Sequence, residues 1–335
     1  MARLVVTGGM GFIGSAFVRR RLATKEDEVI VVDKLTYAGN PNNLKDVKDD
    51  PRLTFVKGDV CDRNLMDRVA KGVDAVVHFA AETHVDRSIL DAGSFVVTDV
   101  VGTYSVLEAC RKADVGRLLH ISTDEVYGEA GHGPCSETAP LMPKSPYAAS
   151  KAGADRLVWS YFTTYGLPAV ISRCTNNYGP FQHPEKLIPL FVTNALEDKP
   201  LPMYGTGRNS RDWIHVDDHC EALDRLLAAK GVEGEVFNVG AGQERDVRSI
   251  GETILRILRK PAGLLTAVDD RPGNVTRHAV DWTKIRTRLG WRPERDFEAG
   301  LRETVEWYRK NEWWWKPVKS GEFKEYYQVQ YRGLA

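Results

Sequence analysis

Between Arg3 and Asp33 the chain passes through an apolar strand pattern, a glycine cluster, a helical pattern and a second apolar strand pattern, an order that few folds accept. Arg3-Leu4-Val5-Val6-Thr7 reads as a buried strand, and Gly8-Gly9-Met10-Gly11-Phe12-Ile13-Gly14 leads into a helix running to about Leu22. Gly9, Gly11 and Gly14 meet the Gly-x-Gly-x-x-Gly spacing, while Gly8, Gly11 and Gly14 meet a wider one. Without side chains the backbone turns tightly and lets a pyrophosphate approach the free N–H groups of the helix amino terminus. The second strand, Glu28-Val29-Ile30-Val31-Val32, ends in Asp33, close to the ~20-residue offset at which an acid meets an adenosine ribose. A carboxylate there accepts from a 2′-hydroxyl and repels a 2′-phosphate. The pattern therefore favours NAD over NADP, with Lys34 softening the repulsion.

Strand and helix patterns keep alternating: strands at Leu53–Lys57, Val73–Phe79, Gly116–Ile121 and Pro168–Ser172, helices near Arg63–Lys71 and Ser94–Lys112. Repeated βα units imply an α/β fold, a doubly wound parallel sheet of Rossmann type with right-handed crossovers. The less regular carboxyl half implies a smaller, mixed α/β region for the substrate. The expected division is 1–180 for the NAD-binding part with the catalytic residues and 181–335 for a mainly nucleotide-sugar-binding part, with no independent linker between them. The 335 residues suffice for a full core, and 46 basic against 46 acidic residues leave no net field to attract nucleic acid or an anionic membrane. No apolar run reaches membrane-spanning length and no signal peptide pattern opens the chain, so a cytoplasmic location is expected. Cys61, Cys110, Cys135, Cys174 and Cys220 are scattered and odd in number, which reads as reduced.

The most unusual stretch is Ser122-Thr123-Asp124-Glu125-Val126-Tyr127-Gly128, which puts two adjacent acids where a buried strand opens into a loop. Repulsion and partial desolvation should make one of them hold its proton tightly, giving an acid and a base within reach of one substrate; the plain alternative is a solvated loop with Asp124 as a helix cap. After a Gly/Pro-rich loop over the site, Glu129–Pro146, comes Tyr147-Ala148-Ala149-Ser150-Lys151 at the start of a helix, with Tyr147 and Lys151 on one face. An ammonium one turn from a phenol favours the phenolate, so Lys151 is expected to lower the Tyr147 pKa, helped by a cationic nicotinamide ring. Gly58-Asp59-Val60 and Phe79-Ala80-Ala81 end two strands at the ligand-binding edge of such a sheet. Lys186, Arg211 and Arg271 are candidate ligands for a pyrophosphate, although each taken alone reads more simply as a surface charge. His215 and His219, followed by Cys220, lack a completing ligand nearby, so no metal is expected. Trp313-Trp314-Trp315, Tyr326-Tyr327 and Tyr331 read as an aromatic tail packed back on the body.

Taken together, the glycine turn, Asp33, Ser122-Thr123 and Tyr147-x-x-x-Lys151 resemble the extended short-chain dehydrogenase/reductase superfamily. More narrowly, Asp33 to Asn40, His84-Val85-Asp86-Arg87-Ser88, Ser122 to Gly128, Asn176 to Pro180, Pro184-Glu185-Lys186-Leu187 and Arg211-Asp212-Trp213 look like the dTDP-glucose 4,6-dehydratase family. That resemblance implies a lyase with tightly bound NAD that makes dTDP-4-keto-6-deoxyglucose for deoxysugar pathways such as rhamnose biosynthesis. It implies that Tyr147, with Lys151, takes the 4-hydroxyl proton as hydride leaves C4, that Thr123 bonds the C4 oxygen, that Glu125 removes the C5 proton and that Asp124 protonates the departing C6 hydroxyl. It places cofactor contacts at Gly8, Gly11, Phe12, Ile13, Gly14, Asp33, Lys34, Thr36, Asp59, Val60, Ala80, Ala81, Ser122, Tyr147, Lys151 and Asn177. Sugar-nucleotide contacts fall at His84, Thr123, Asn176, Lys186, Leu187, Pro202, Tyr204, Arg211 and Arg271. A homodimer is also implied, its helices around 94–112 and 147–165 packing as a four-helix bundle.

Departures from the family pattern are Asp99 where relatives commonly carry Asn, Val247 for an expected Asn, Asn274 for His and His278 for Tyr. All but the first lie in the nucleotide half, so they bear on the nucleobase. Two other readings stand beside the dehydratase: a 4-epimerase or a dehydratase of another nucleotide sugar, and a silent NAD-binding scaffold or sensor. An epimerase needs neither a C5 base nor a C6 acid, and a silent relative has no chemical reason to keep Thr123, Tyr147 and Lys151.

Overall fold

The computed structural model describes residues 1–331. Its strands are β1 (Arg3–Thr7), β2 (Glu28–Asp33), β3 (Leu53–Lys57), β4 (Ala75–His78), β5 (Arg117–Thr123), β6 (Ala169–Cys174), β7 (Asn176–Tyr178), β8 (Leu201–Tyr204), β9 (Ser210–His215), β10 (Val236–Val239), β11 (Glu244–Asp246), β12 (Leu265–Val268) and β13 (Arg277–His278). Seven of them form one sheet in the order β10-β6-β5-β4-β1-β2-β3, and every pairing in it is parallel. The chain winds outward in both directions from β1, so the crevice for a ligand opens at the carboxyl ends of β1 and β4. Strands buried on both faces explain the unbroken Val/Ile/Leu runs of β1, β2 and β4.

Two apolar layers cover the sheet. Phe17, Val18, Leu223 and Leu226, from helices Phe12–Thr24 and Val216–Ala228, pack on one face. Leu65, Met66, Val106, Leu107 and Val158, from helices Arg63–Val69, Thr103–Lys112 and Pro146–Tyr165, pack on the other. A third cluster belongs to the carboxyl half, where Phe191, Ile254, Leu301 and Trp315 enclose smaller sheets. One of these is β11-β9-β13 with β7 joined to β9, and the other is β12-β8. The two halves interleave: β10 comes from the carboxyl half but completes the large sheet beside β6.

The expected helix 94–112 is present as an unbroken helical run, Ala92–Phe95, Val96–Gly102 and Thr103–Lys112, whose middle segment is π-helical rather than α-helical. The loop over the site is fixed rather than free, through Ala130 N to Arg277 O, Cys135 N to Ala279 O and a bridge between Cys135 and Val280. The aromatic tail does pack back on the body: Trp314 donates to Asn43 Oδ1 at 2.8 Å and Trp315 to Tyr308 O at 2.8 Å. Tyr331, just past its last helix, Glu322–Gln330, lines the cleft described next.

Candidate active site

One cavity of about 430 Å³ runs from the glycine turn past β4 and β5 to the carboxyl half, and every residue expected to touch cofactor or sugar nucleotide lines it. At the glycine end the backbone turns too tightly, and packs too closely on the strand end at Ala80, for side chains to be admitted. Gly8 has φ +70°, and a Cβ there would lie 2.7 Å from Ala80 N; a Cβ at Gly14 would lie 2.3 Å from Gly8 O. Helix Phe12–Thr24 starts at Gly11 with no side chain capping its free N–H groups, so the helix end faces the cavity as a bare anion site. Asp33 closes this end at the tip of β2, its carboxylate fixed by Met10 N at 2.9 Å and Leu35 N at 2.8 Å. Lys34 is paired with Asp59 at 2.9 Å, so its charge is already answered and the expected softening toward a 2′-phosphate is weakened. Bare cradle, open helix end and fixed acid fit a dinucleotide with a free 2′-hydroxyl.

In the middle of the cavity β5 delivers the paired acids. Thr123 ends the strand and caps a 3₁₀ turn, Asp124–Tyr127, by accepting from Glu125 N at 3.3 Å. Thr123, not Asp124, is therefore the cap, and the solvated-loop alternative fails because Asp124 is 3% exposed. Burial first, then the neighbouring Glu125 carboxylate, push the Asp124 carboxyl well above the usual range. Its Oδ1 is met by the Thr123 hydroxyl at 3.3 Å, whereas its buried Oδ2 has no partner. The protonated partner expected of the pair is Asp124.

The turn is held from below. Tyr127 donates to Asn238 Oδ1 at 2.7 Å and accepts from Arg173 at 2.8 Å, and Arg173 in turn grips Asp155 with two 2.8 Å bonds. Helix Pro146–Tyr165 carries Tyr147 and Lys151 beside the turn; Ser145 caps it through Ala148 N at 3.1 Å, and Gly166 ends it with φ +70°. Lys151 is buried and donates to Ile121 O at 2.7 Å. One expectation is reversed here. Burial and then Glu125 push the Tyr147 phenol well above its usual range and Thr123 pulls the other way, while any effect of Lys151 is smaller than these. The ammonium is turned to the Ile121 carbonyl, so forming a phenolate takes positive charge beyond what Lys151 supplies.

The far end is cationic but tightly organised. Arg271 bonds Asp86 at 2.7 Å, Lys186 bonds the Thr83 hydroxyl at 2.9 Å, and Arg211 bonds Val275 O and Ser210 O at 2.8 Å. His84, at φ +84°, bonds Glu185 O through Nε2, and burial pushes its pKa down. Tyr204 donates a hydrogen bond to Asp86 at 2.9 Å, and Asn177 bonds Thr175 O and His219. His219 is engaged through Nδ1 only, its buried Nε2 having no partner, and His215 caps helix Val216–Ala228 through Asp217 N. Among the described residues no group of three or more His, Cys, Asp or Glu is placed to hold a metal.

Asp86, Arg87, Glu185, Tyr326 and Tyr331 were not among the expected site residues. Asp86 joins Arg271, Tyr204 and Tyr326; Glu185 joins Arg87, whose guanidinium lies 3.6 Å from the centre of the Tyr37 ring. Asp86 and Glu185 sit in stretches that do resemble the family, but a lone acid carries no signal of its own. Nothing in the tail's composition announces that Tyr331 lines the cavity.

A Rossmann sheet, a bare glycine cradle, and a Thr-Tyr-Lys cluster facing it define an extended short-chain dehydrogenase/reductase. The chain belongs to the family described as GDP-mannose 4,6 dehydratase, whose model matches residues 5–304. It is 50% identical to dTDP-glucose 4,6-dehydratase of Streptomyces niveus, over 95% of this chain and 96% of that one. To dTDP-glucose 4,6-dehydratase 1 of Escherichia coli it is 45% identical, over 99% of both. Among solved structures, DesIV (dTDP-glucose 4,6-dehydratase) from Streptomyces venezuelae with NAD and TYD bound superposes with a TM-score of 0.93 at 52% identity, covering 95% of this chain and 100% of that one. UDP-glucuronic acid 4-epimerase from Bacillus cereus, in complex with UDP-glucuronic acid and NAD, reaches 0.88 at 28% identity, covering 92% and 99%. Dehydratase and epimerase thus share the fold, and only the site can separate them.

Proposed function

We propose that the protein is an NAD-dependent hydro-lyase that converts dTDP-glucose to dTDP-4-keto-6-deoxyglucose and water. The observation that carries this reading is the buried Asp124 beside Glu125, a proton donor next to a carboxylate in a cavity that also holds Tyr147. An epimerase has no use for that pair. The high identity to curated dTDP-glucose 4,6-dehydratases supports the same substrate.

In this reading the glycine cradle and the helix end bind the cofactor diphosphate, Asp33 takes the adenosine ribose, and the remaining expected contacts line its path. NAD supplies a reversible hydride acceptor, which leaves no net redox change. Tyr147 accepts the proton of the sugar 4-hydroxyl while Thr123 bonds that oxygen. The ketone acidifies the C5–H bond, Glu125 removes that proton, and Asp124 gives its own to the leaving C6 hydroxyl, so that water departs. Glu125 then returns a proton to C5 as C6 is reduced to the methyl group, and the proton spent by Asp124 is matched by the one Tyr147 gained, so the cycle balances across the three residues. Lys186, Arg211 and Arg271 face the diphosphate, and His84, Asn176, Leu187, Pro202 and Tyr204 shape the rest of the sugar-nucleotide site.

The division into 1–180 for NAD and catalysis and 181–335 for the nucleotide sugar holds in this reading, with β10 and helix Val216–Ala228 as carboxyl-half pieces serving the large sheet. A homodimer is supported by apolar side chains left exposed on adjoining helical segments, Leu90, Val96, Val97, Val101, Trp159 and Tyr165. A cytoplasmic location fits the absence, among the described residues, of a helix long and apolar enough to cross a membrane. The test is to incubate the protein separately with dTDP-glucose and with UDP-, CDP- and GDP-glucose. Conversion of the dTDP sugar at least tenfold faster supports the assignment; equal or faster conversion of another nucleotide would overturn the base specificity.

A further inference from the structure

Glu125 lines two cavities. The second is a chamber of about 10 Å³ whose wall it shares with Lys144, Val275 and His278, while Arg211 and Arg271 line both the chamber and the main cavity. A space of that size holds one water molecule when two to four polar groups can bond it. Glu125 and His278 are such groups, and Lys144 and Gly273 make up the side toward solvent. The Lys144 side chain is half-exposed and paired with Glu129 at 2.9 Å, and Gly273 is exposed.

His278 is one of the residues at which the sequence departs from the family pattern, and the structure places it away from the main cavity and against the chamber behind Glu125. β13 pairs with β9 so that His278 lies opposite Arg211. On either side of it the chain is tied to the loop over the site, by Ala130 N to Arg277 O at 3.0 Å and by Cys135 N to Ala279 O at 2.9 Å. The residue is 4% exposed, and burial first, then Arg211, Arg271 and Lys144, push its pKa well below the usual range. A neutral imidazole has one nitrogen that donates and one that accepts, which suits a water that must do both.

In the proposed reaction Glu125 takes a proton from C5 and later returns one to the same carbon. In that interval the sugar nucleotide fills the main cavity and closes the route from bulk water on that side. We propose that the chamber is a binding site for a single water molecule held between Glu125 and His278, through which Glu125 exchanges its proton with solvent while the ketosugar is bound. The proposal rests on the reading of Glu125 as the C5 base. Glu125 gives its proton to the water and takes another from it, the water trades with bulk solvent past Lys144, and no net charge or co-reactant is consumed. The hydrogen that returns to C5 is then the solvent's.

The test is turnover of dTDP-glucose in deuterated water with the isotope at C5 as the readout. Wild type should place deuterium at C5 in nearly all of the product. His278→Phe removes both ring nitrogens, and Val275→Leu adds a methylene at the chamber wall. Each should still form product but lower its C5 deuterium roughly twofold or more, because the substrate's own proton is returned. Full C5 deuterium in both variants overturns the proposal, and is the result if exchange runs instead through the water released from C6 into the main cavity. A wild-type product that keeps the substrate's C5 hydrogen overturns it as well. A measurement that needs no variant is a crystal structure of the wild-type holoenzyme with dTDP: one water should lie within hydrogen-bond reach of both Glu125 and His278, and a chamber without it sinks the proposal. Normal turnover by Glu125→Gln would instead remove the reading on which the proposal stands. An inactive E125Q with both chamber variants unmoved leaves that reading intact and sinks the proposal alone.

Discussion

Removing Arg173 tests how the paired acids are held in place. Its guanidinium is 2% exposed and Asp155 is fully buried, and two 2.8 Å bonds join them. A third bond reaches the Tyr127 hydroxyl, which anchors the turn bearing Asp124 and Glu125. Breaking a buried pair by deleting one partner costs about 3 to 5 kcal/mol, because the other charge is left without its counter-charge. Here the half-exposed Arg156 still contacts Asp155 at 2.6 Å, which places Arg173→Met at the lower end, about 3 kcal/mol. At ~2 °C per kcal/mol for a large domain, Tm falls by roughly 6 °C. Burial raises the Asp155 carboxyl, but Arg173 outweighs it and holds the group below its usual range. The pair's contribution is therefore complete above the unfolded value of about 4 and is lost as pH falls through the folded one. Urea unfolding followed by tryptophan fluorescence at pH 7.5 measures the loss, and the double variant Asp155→Leu/Arg173→Met should recover at least half of it. A single variant within about 0.5 kcal/mol of wild type, as for an ordinary surface change, would refute the reasoning.

Other consequences follow from the same structure. Burial pushes His78 and His219 down to about 3 and His183 and His215 down to about 4. The unfolded chain binds these protons first, so stability falls as pH drops below ~6.5, by about 2 kcal/mol per histidine at pH 5; a Tm unchanged between pH 7 and 5 would contradict this. Gly14→Ala drives a Cβ into the Gly8 carbonyl at 2.3 Å and should weaken NAD binding by roughly tenfold or more in calorimetry, without changing the fold seen by circular dichroism. Glu125→Gln should still reduce bound NAD transiently but should not exchange the C5 proton with deuterated solvent; normal turnover would remove Glu125 from its role.

The parts legible in the sequence are those set by local spacing. Glycines before a helix, an acid after the second strand and Tyr-x-x-x-Lys each declare a backbone shape or a shared face, and the cavity brings together Gly8, Gly11, Gly14, Asp33, Tyr147 and Lys151. The parallel pairing of the strands also follows from the βα repeat. What spacing does not encode is contact between distant segments. The Asp86 hub joins residues 118, 185 and 240 positions away, and β10 enters the large sheet from the opposite half. The direction of the Tyr147 shift was missed for the same reason: burial and Glu125 outweigh a neighbour one helical turn away, and burial is a property of the whole fold. Asp99 was visible as an odd residue, but the π-helical segment that aims it at Ser150 was not.

The most direct test of the account is to run the wild-type enzyme with dTDP-glucose in deuterated water and follow product mass, deuterium position and cofactor absorbance together. The product should be lighter than substrate by one water, apart from one solvent deuterium placed at C5, with no net reduced NAD. A product of unchanged elemental composition with inverted C4 would contradict the role given to Asp124 and Glu125.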